Sequence, residues 1–392
     1  MATRTTPTPT RTTPSTAALA RAIEPIDAER FLDEHWERKP LVVPRAEEGR
    51  FDDLLSVRDV ERLVTETGIR TPGFRLVKAG ETPSGYTTDL AWRPTTFTGV
   101  ADVRRVLEEF EAGATIVLQG LHHLWLPLAR YCRHLEASLG HPAQANAYYT
   151  PHGSQGLPVH HDTHEVISLQ VAGEKRWLVY EPAMELPLKN QRYRSALGAP
   201  GEPVHDVTLK AGDTMYLPRG WLHQALTSGS DSLHITIGVN VRRWVDEAHA
   251  AIDALEADLE FRQAIDAQEP PDLPVLDAAE VREQARDRFV FSRRPILDGQ
   301  LSELRALDEM TAATELERRN TVIADLHGTT LVFEGRRLRF PERLAAELEF
   351  LVTNEGSFNA SLLPGALDSA GRLVLLRRLV REGLLRRSAS AA

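Results

Sequence analysis

Apolar positions first recur at helical spacing near residue 26, where Phe31, Leu32 and Trp36 share one side of a run opened by Asp27, a suitable N-cap. Pro40 closes that helix, and Leu41, Val42 and Val43 read as a short strand. A second amphipathic helix is predicted over residues 100–111, a strand over 114–118, and a longer helix over 124–139 stopped by Gly140 and Pro142. Cys132 falls within this last helix as a small core residue. From 143 to 241 the period changes. Short β runs at 147–149, 166–171, 176–180, 204–209, 214–217 and 233–239, separated by Gly and Pro, predict a sandwich or barrel. Helical text returns over 245–268, is punctuated by Pro270, Pro271 and Pro274, and resumes over 278–288. The end of the chain reads as a β pair (321–324 and 331–334) with helices at 341–353 and 372–382.

Composition narrows the function classes. At 392 residues the chain should hold two or three domains. No stretch reaches the ~20 apolar residues that span a bilayer. The first twenty residues carry eight threonines, three prolines, two arginines and no acid, so residues 1–22 are expected to be a disordered tail. That tail lacks the apolar core of a secretory signal. Forty-six basic against 56 acidic residues give a net charge of −10, which argues against nonspecific nucleic-acid binding by the whole chain. The single cysteine excludes an internal disulfide and Cys-rich zinc folds and fits a reducing, cytoplasmic setting. Fourteen histidines raise the question of a metal.

The informative window is Gly156 to Glu165, with His160, His161, Asp162 and His164 in close succession. In a strand, His160, Asp162 and His164 would point one way and His161 the other. A third ligand is offered by the segment from Gly212 to His223, where a strand, a turn at Pro218 and Gly220 and a second strand would bring His223 back into the barrel. Two imidazoles and one carboxylate leave open positions on a metal, the facial arrangement of non-heme Fe(II) oxygenases. A closed zinc site would want four protein ligands and usually cysteine. His161 and His164 read as surface residues or supports behind the ligands, and His122, His123, His134 and His141 have no partner pattern.

The spacing from Gly212 through Pro218 and Gly220 to His223 matches the second motif of cupin barrels, and Glu165 and Gly173 trail His160 as in the first. Together with the run from Phe31 to Pro40, with Asn146, Tyr148, Pro151, Gly153 and Gly156, with Leu169 to Trp177 and with Leu217 to Ala225, these windows resemble the JmjC-domain ribosomal oxygenases. The likeness is strong over residues 25–245 and weaker beyond. It implies an α+β fold in which a double-stranded β-helix (the cupin/JmjC jelly roll) forms a catalytic domain at 23–242. A helical dimerisation segment at 243–300 and a winged-helix-like domain at 301–392 would follow.

The resemblance further implies a 2-oxoglutarate- and Fe(II)-dependent dioxygenase, with Fe(II) held by His160, Asp162 and His223. Lys175 would bind the distal carboxylate of 2-oxoglutarate, Asn146 and Tyr148 would line the cosubstrate pocket, and O2 would be the oxidant. The implied substrate is a protein side chain, His or Arg of a ribosomal protein, and the implied assembly is a homodimer. Lysine at 175, where bacterial arginine hydroxylases of the family tend to carry arginine, leans toward the histidyl branch. Gly238 departs from the pattern, since a small hydroxyl residue is expected near the cosubstrate, and His234 reads equally as packed core. The alternatives are the same chemistry on a small molecule or peptide of secondary metabolism, and a non-catalytic metal-binding cupin-like interaction protein. An intact triad plus Lys175 opposes the last. Residues 331–392 hold ten arginines and seven acids, too small an excess for direct nucleic-acid binding to be expected.

Overall fold

The strand Glu165–Ala172 is buried on both faces, so one face must meet helices and the other a second sheet. The chain is described here by a computed structural model over residues 9–12, 16–154, 157–226, 229–264 and 277–388. It forms two compact units, one of Ser15–Val241 and one of Arg242–Ala392 with Met1–Pro14. In chain order the strands are β1 (Thr10–Arg11), β2 (Leu41–Val43), β3 (Phe74–Val77), β4 (Thr87–Trp92), β5 (Thr95–Ala101), β6 (Thr115–Leu118), β7 (Ala143–Thr150), β8 (Glu165–Ala172), β9 (Glu174–Tyr180), β10 (His205–Lys210), β11 (Thr214–Leu217), β12 (Leu222–Leu226), β13 (Ser232–Val239), β14 (Leu316–Arg318), β15 (Asp325–His327), β16 (Thr330–Phe333), β17 (Arg336–Arg339) and β18 (Leu385–Arg387).

In the first unit a seven-stranded antiparallel sheet, β2-β11-β8-β13-β7-β6-β3, packs against a three-stranded one, β10-β9-β12. Side chains alternate along β8. Ile167, Leu169 and Val171 join a core with the helix residues Leu128, Tyr131, Cys132 and Leu135. Val166 instead packs with Trp177, Val179, Leu209, Met215 and Leu217 between the sheets. Glycine is required at the β8–β9 hairpin: Gly173 has φ +62, and a Cβ there would lie 1.8 Å from the Asp231 carbonyl oxygen. The helix Ala28–Glu34 is capped by Asp27, which accepts the Arg30 amide at 2.8 Å. Phe31 meets the Tyr216 ring edge-on at 4.9 Å and Trp36 stacks on it at 5.9 Å, so the Phe31–Pro40 motif is packed against β11.

Several expectations are corrected. The tail expected to be disordered over 1–22 contains β1, which pairs with β15, and the helix Ala17–Ile23. Ala18, Leu19, Ala22 and Ile23 recur at helical spacing and are buried, an apolar stripe that the upstream prolines do not interrupt. The rest of that expectation, at 1–8 and 13–15, lies outside the described residues. The helix predicted over 124–139 is two, Leu121–Leu124 and Leu126–Leu139, because Trp125 is extended and Pro127 opens a new first turn. The helix expected over 245–268 spans Trp244–Ala254 and then tightens into 3-10 turns at Leu255–Ala257 and Glu260–Arg262; its end lies outside the described residues. The β4–β5 hairpin has no counterpart in the sequence reading, since most of its positions are exposed and impose no apolar period.

The second unit has a four-stranded sheet, β1-β15-β16-β17, and the pair β14-β18. Its core gathers Leu316, Phe333, Leu348, Phe358, Leu379 and Leu384. The expected β pair is present with its first strand shifted to Asp325–His327. No helix among the described residues is long and apolar enough to cross a membrane.

Candidate metal centre

His160 and His223 face each other across a two-residue bridge: the His160 amide donates to the His223 carbonyl (3.1 Å) and the His223 amide to the His160 carbonyl (2.8 Å). His160 stands just outside the sheet and His223 is the second residue of β12. Residues 161–164 are not strand, so Asp162 reaches the same point from a loop rather than by strand alternation. One ligand atom from each of His160, Asp162 and His223 lies within 4.8 Å of the others. His223 Nε2 stands 3.7 Å from Asp162 Oδ2.

The tautomers follow from the carbonyls behind the rings. His160 Nδ1 donates to the Pro158 carbonyl (2.8 Å) and His223 Nδ1 to the Trp221 carbonyl (3.0 Å). Carbonyls only accept, so each Nδ1 carries the proton and each Nε2 keeps a lone pair for a metal. Burial, reinforced by His160, lowers the His223 pKa to about 4, which keeps this ring neutral and ligand-competent near pH 7. Burial pushes Asp162 up, but His164, His223 and His160 together outweigh it and hold the carboxyl below its ordinary value.

The centre opens on a small cavity of about 60 Å³, lined in part by Tyr148, Thr150, Lys175, Trp177, His234 and Thr236. Lys175 is only 4% exposed, and its Nζ donates to the Thr150 hydroxyl (3.1 Å) with no carboxylate beside it among the described residues. Burial lowers its pKa to about 7. Trp177 Nε1 and His234 Nδ1, both buried in the same wall, have no hydrogen-bond partner among the described residues. His234 stacks on Tyr148 at 4.9 Å, and burial followed by Lys175 holds it well below the ordinary histidine value. Burial, helped by Asp162, raises Tyr148 to about 12, so it stays a neutral phenol. A buried ammonium and two unsatisfied donor-capable groups fit an anion rich in acceptor oxygens.

The structure therefore brings His160, Asp162, His223, Lys175 and Tyr148 around one cavity. Asn146 is a correction. Although two residues from Tyr148 on β7, it is not among the lining residues; its side-chain oxygen accepts the Gly120 amide at 2.9 Å. Gly238 is explained: a Cβ there would fall 2.6 Å from His164 Cδ2, so the His164 ring fills the space of a side chain. The hydroxyl on that strand face belongs to Thr236. His161, read as surface or support, is buried and donates through Nε2 to the Gln191 carbonyl at 3.0 Å. Trp177 and Thr150 were not singled out from sequence; the two-residue step from Lys175 was the available signal for Trp177.

Residues 122–246 match the family description "JmjC domain". The chain is 33% identical over 220 residues to the bifunctional lysine-specific demethylase and histidyl-hydroxylase NO66 of Drosophila persimilis, covering 56% of this chain and 31% of that protein. It is 36% identical over 221 residues to ribosomal oxygenase 2 of Mus musculus, covering 55% of this chain and 45% of that one. It thus spans less than half of either relative. In fold it is similar to the Escherichia coli ribosomal oxygenase YcfD solved with cobalt and 2-oxoglutarate, with a TM-score of 0.58 at 19% identity over 92% of this chain and 98% of that one.

Proposed function

We propose that this chain, whose residues 122–246 match the JmjC domain, is a 2-oxoglutarate- and Fe(II)-dependent oxygenase that hydroxylates a protein side chain, His or Arg of a ribosomal protein. The observation that carries the reading is the conjunction of a His-Asp-His set with a buried lysine that has no carboxylate partner among the described residues, across one cavity. His160, Asp162 and His223 would hold the iron and leave positions open for the cosubstrate. Bound Fe(II) with 2-oxoglutarate and O2 would supply the oxidation that converts a C–H bond to C–OH, with succinate and CO2 as coproducts.

This chain's residues do the rest. Lys175, protonated, would hold the distal carboxylate of the cosubstrate, with the Thr150 hydroxyl fixing its ammonium. Tyr148, Trp177 and His234 wall the cavity, and the last two each have a buried polar atom without a partner among the described residues. Pro158 and Trp221 carbonyls keep the two imidazoles in the ligating tautomer. Relatives named ribosomal oxygenase and histidyl-hydroxylase support a ribosomal protein as substrate. The same reading takes residues 243–300 as a helical dimerisation segment and 301–392 as winged-helix-like, in a cytoplasmic homodimer. Exposed Trp244, Ile252 and Leu259 support the pairing role. The test is intact-mass analysis of ribosomal proteins from cells with and without the gene. A 16 Da difference is expected, and identical profiles would defeat the substrate assignment.

A further inference from the structure

Glu165 follows Asp162 by three residues and opens β8; Arg219 precedes His223 by four and lies in the turn between β11 and β12. Both are buried, Glu165 at 0% and Arg219 at 5% exposure. Arg219 Nη1 donates to Glu165 Oε1 at 2.8 Å, and the Tyr216 hydroxyl donates to Oε2 at 2.5 Å. Both oxygens behind the Asp162 loop are thus held by the segment that delivers His223. The Gly220 amide adds a backbone tie to the Asp162 carbonyl at 3.0 Å. Gly220 has φ +91, and a Cβ there would lie 2.2 Å from the Met184 carbonyl oxygen, so the turn has little freedom to take another course.

Glu37 completes the network. Its carboxylate takes the Arg219 guanidinium and its amide donates to the Tyr216 hydroxyl at 2.8 Å. It does so at φ 58, a left-handed conformation disfavoured for a side-chain residue and kept only where surroundings enforce it. None of these four side chains lines the cavity. Any effect they have on chemistry must pass through the ligands.

We infer that the Glu165–Arg219 pair, held by Tyr216 and Glu37, is a positioning brace that sets the separation between the Asp162 loop and the His223 turn, so that metal affinity depends on it. The inference rests on the metal-site reading above. It also explains why glutamate stands at the end of the first cupin-like window although it is not in the ligand set: its two oxygens are taken by Arg219 and Tyr216.

The test is titration of the full chain with Co(II), comparing wild type with Glu165→Gln, Arg219→Lys and the double variant. Leu135→Ala, a buried helix substitution in the same unit, serves as a stability control. Each single brace variant should bind Co(II) about 10–100-fold more weakly while remaining folded by circular dichroism. The double variant should be no weaker than the worse single, because the two act as one unit. Leu135→Ala should lower Tm and leave Co(II) affinity unchanged. Folded brace variants that bind Co(II) within about twofold of wild type, whatever their Tm, would overturn the inference. A wild type that takes no Co(II) would remove the metal-site reading and the brace with it, whereas normal wild-type binding with unaffected variants removes the brace alone.

Discussion

Two buried cations divide the molecule instructively. In the second unit Arg319 is 1% exposed and paired through its terminal nitrogens, though its Nε has no partner among the described residues: Nη1 donates to the Asp298 carbonyl (2.8 Å), Nη2 to Gln300 Oε1 (2.9 Å), and the Asp298 carboxylate stands 3.6 Å away. In the barrel Lys175 is 4% exposed and has a single hydroxyl. Burial lowers the pKa of both, yet only Arg319 has anionic company inside the fold. A buried charge costs stability unless it is paired, so a satisfied one reads as architecture and an unsatisfied one as a place where a ligand supplies the missing charge.

That contrast can be broken in order of effect. The largest effect is expected at the metal candidates: His160→Ala or Asp162→Ala should reduce succinate release from 2-oxoglutarate to background. Residual turnover above a few per cent in a folded variant would show that these side chains are not the ligands. Next, Arg319→Met should destabilise its unit by about 1–3 kcal/mol in urea titration, because it strands the buried Gln300 amide oxygen and the Asp298 carbonyl. Lys175→Met should behave oppositely, leaving Tm unchanged or raised while weakening 2-oxoglutarate binding about 10–100-fold by calorimetry. A fall in Tm as large as that of Arg319→Met would erase the distinction.

A pH profile sharpens it further. Burial depresses Lys175 to about 7, so its neutral form carries stability that is complete above the ordinary lysine range and lost as pH falls toward about 7. Below about 7 the cation is in place to receive a carboxylate; above it, binding must first take up a proton. The 2-oxoglutarate Kd should therefore weaken by up to about tenfold per pH unit above neutrality, with net proton uptake in calorimetry. A flat profile from pH 7 to about 9 would contradict this. The smallest effect is a control in the second unit. Asp368 caps the helix Ser369–Glu382 by accepting the Gly371 amide, and Asp368→Ala should cost about 1 kcal/mol with no change in cosubstrate affinity.

Much of this was legible in the chain. The β runs from 147 to 239 show their period because one face meets helices and the other the barrel interior, and β8 through β13 fall close to the expected positions. The convergence of His160, Asp162 and His223 was readable because their spacing relative to Gly212, Pro218 and Gly220 is a local property; that they bind metal is the proposal. Asn146 was misplaced because strand alternation says which face a residue takes, not which neighbour claims it, and Gly120 claims this one. The helix at Ala17–Ile23 was hidden by the composition around it.

What the sequence determined by itself, then, is the alternation of elements, the types of the candidate ligands and their order along the chain, because propensity, period and turn chemistry are set within a few residues. Only the tertiary structure decided that Asp162 arrives from a loop, that Lys175 is buried without an anion among the described residues, that His164 fills the space left at Gly238, and that Glu165 turns to Arg219. Those outcomes depend on which distant segments share an enclosed volume, and burial and charge balance are properties of that shared volume rather than of any one stretch of chain.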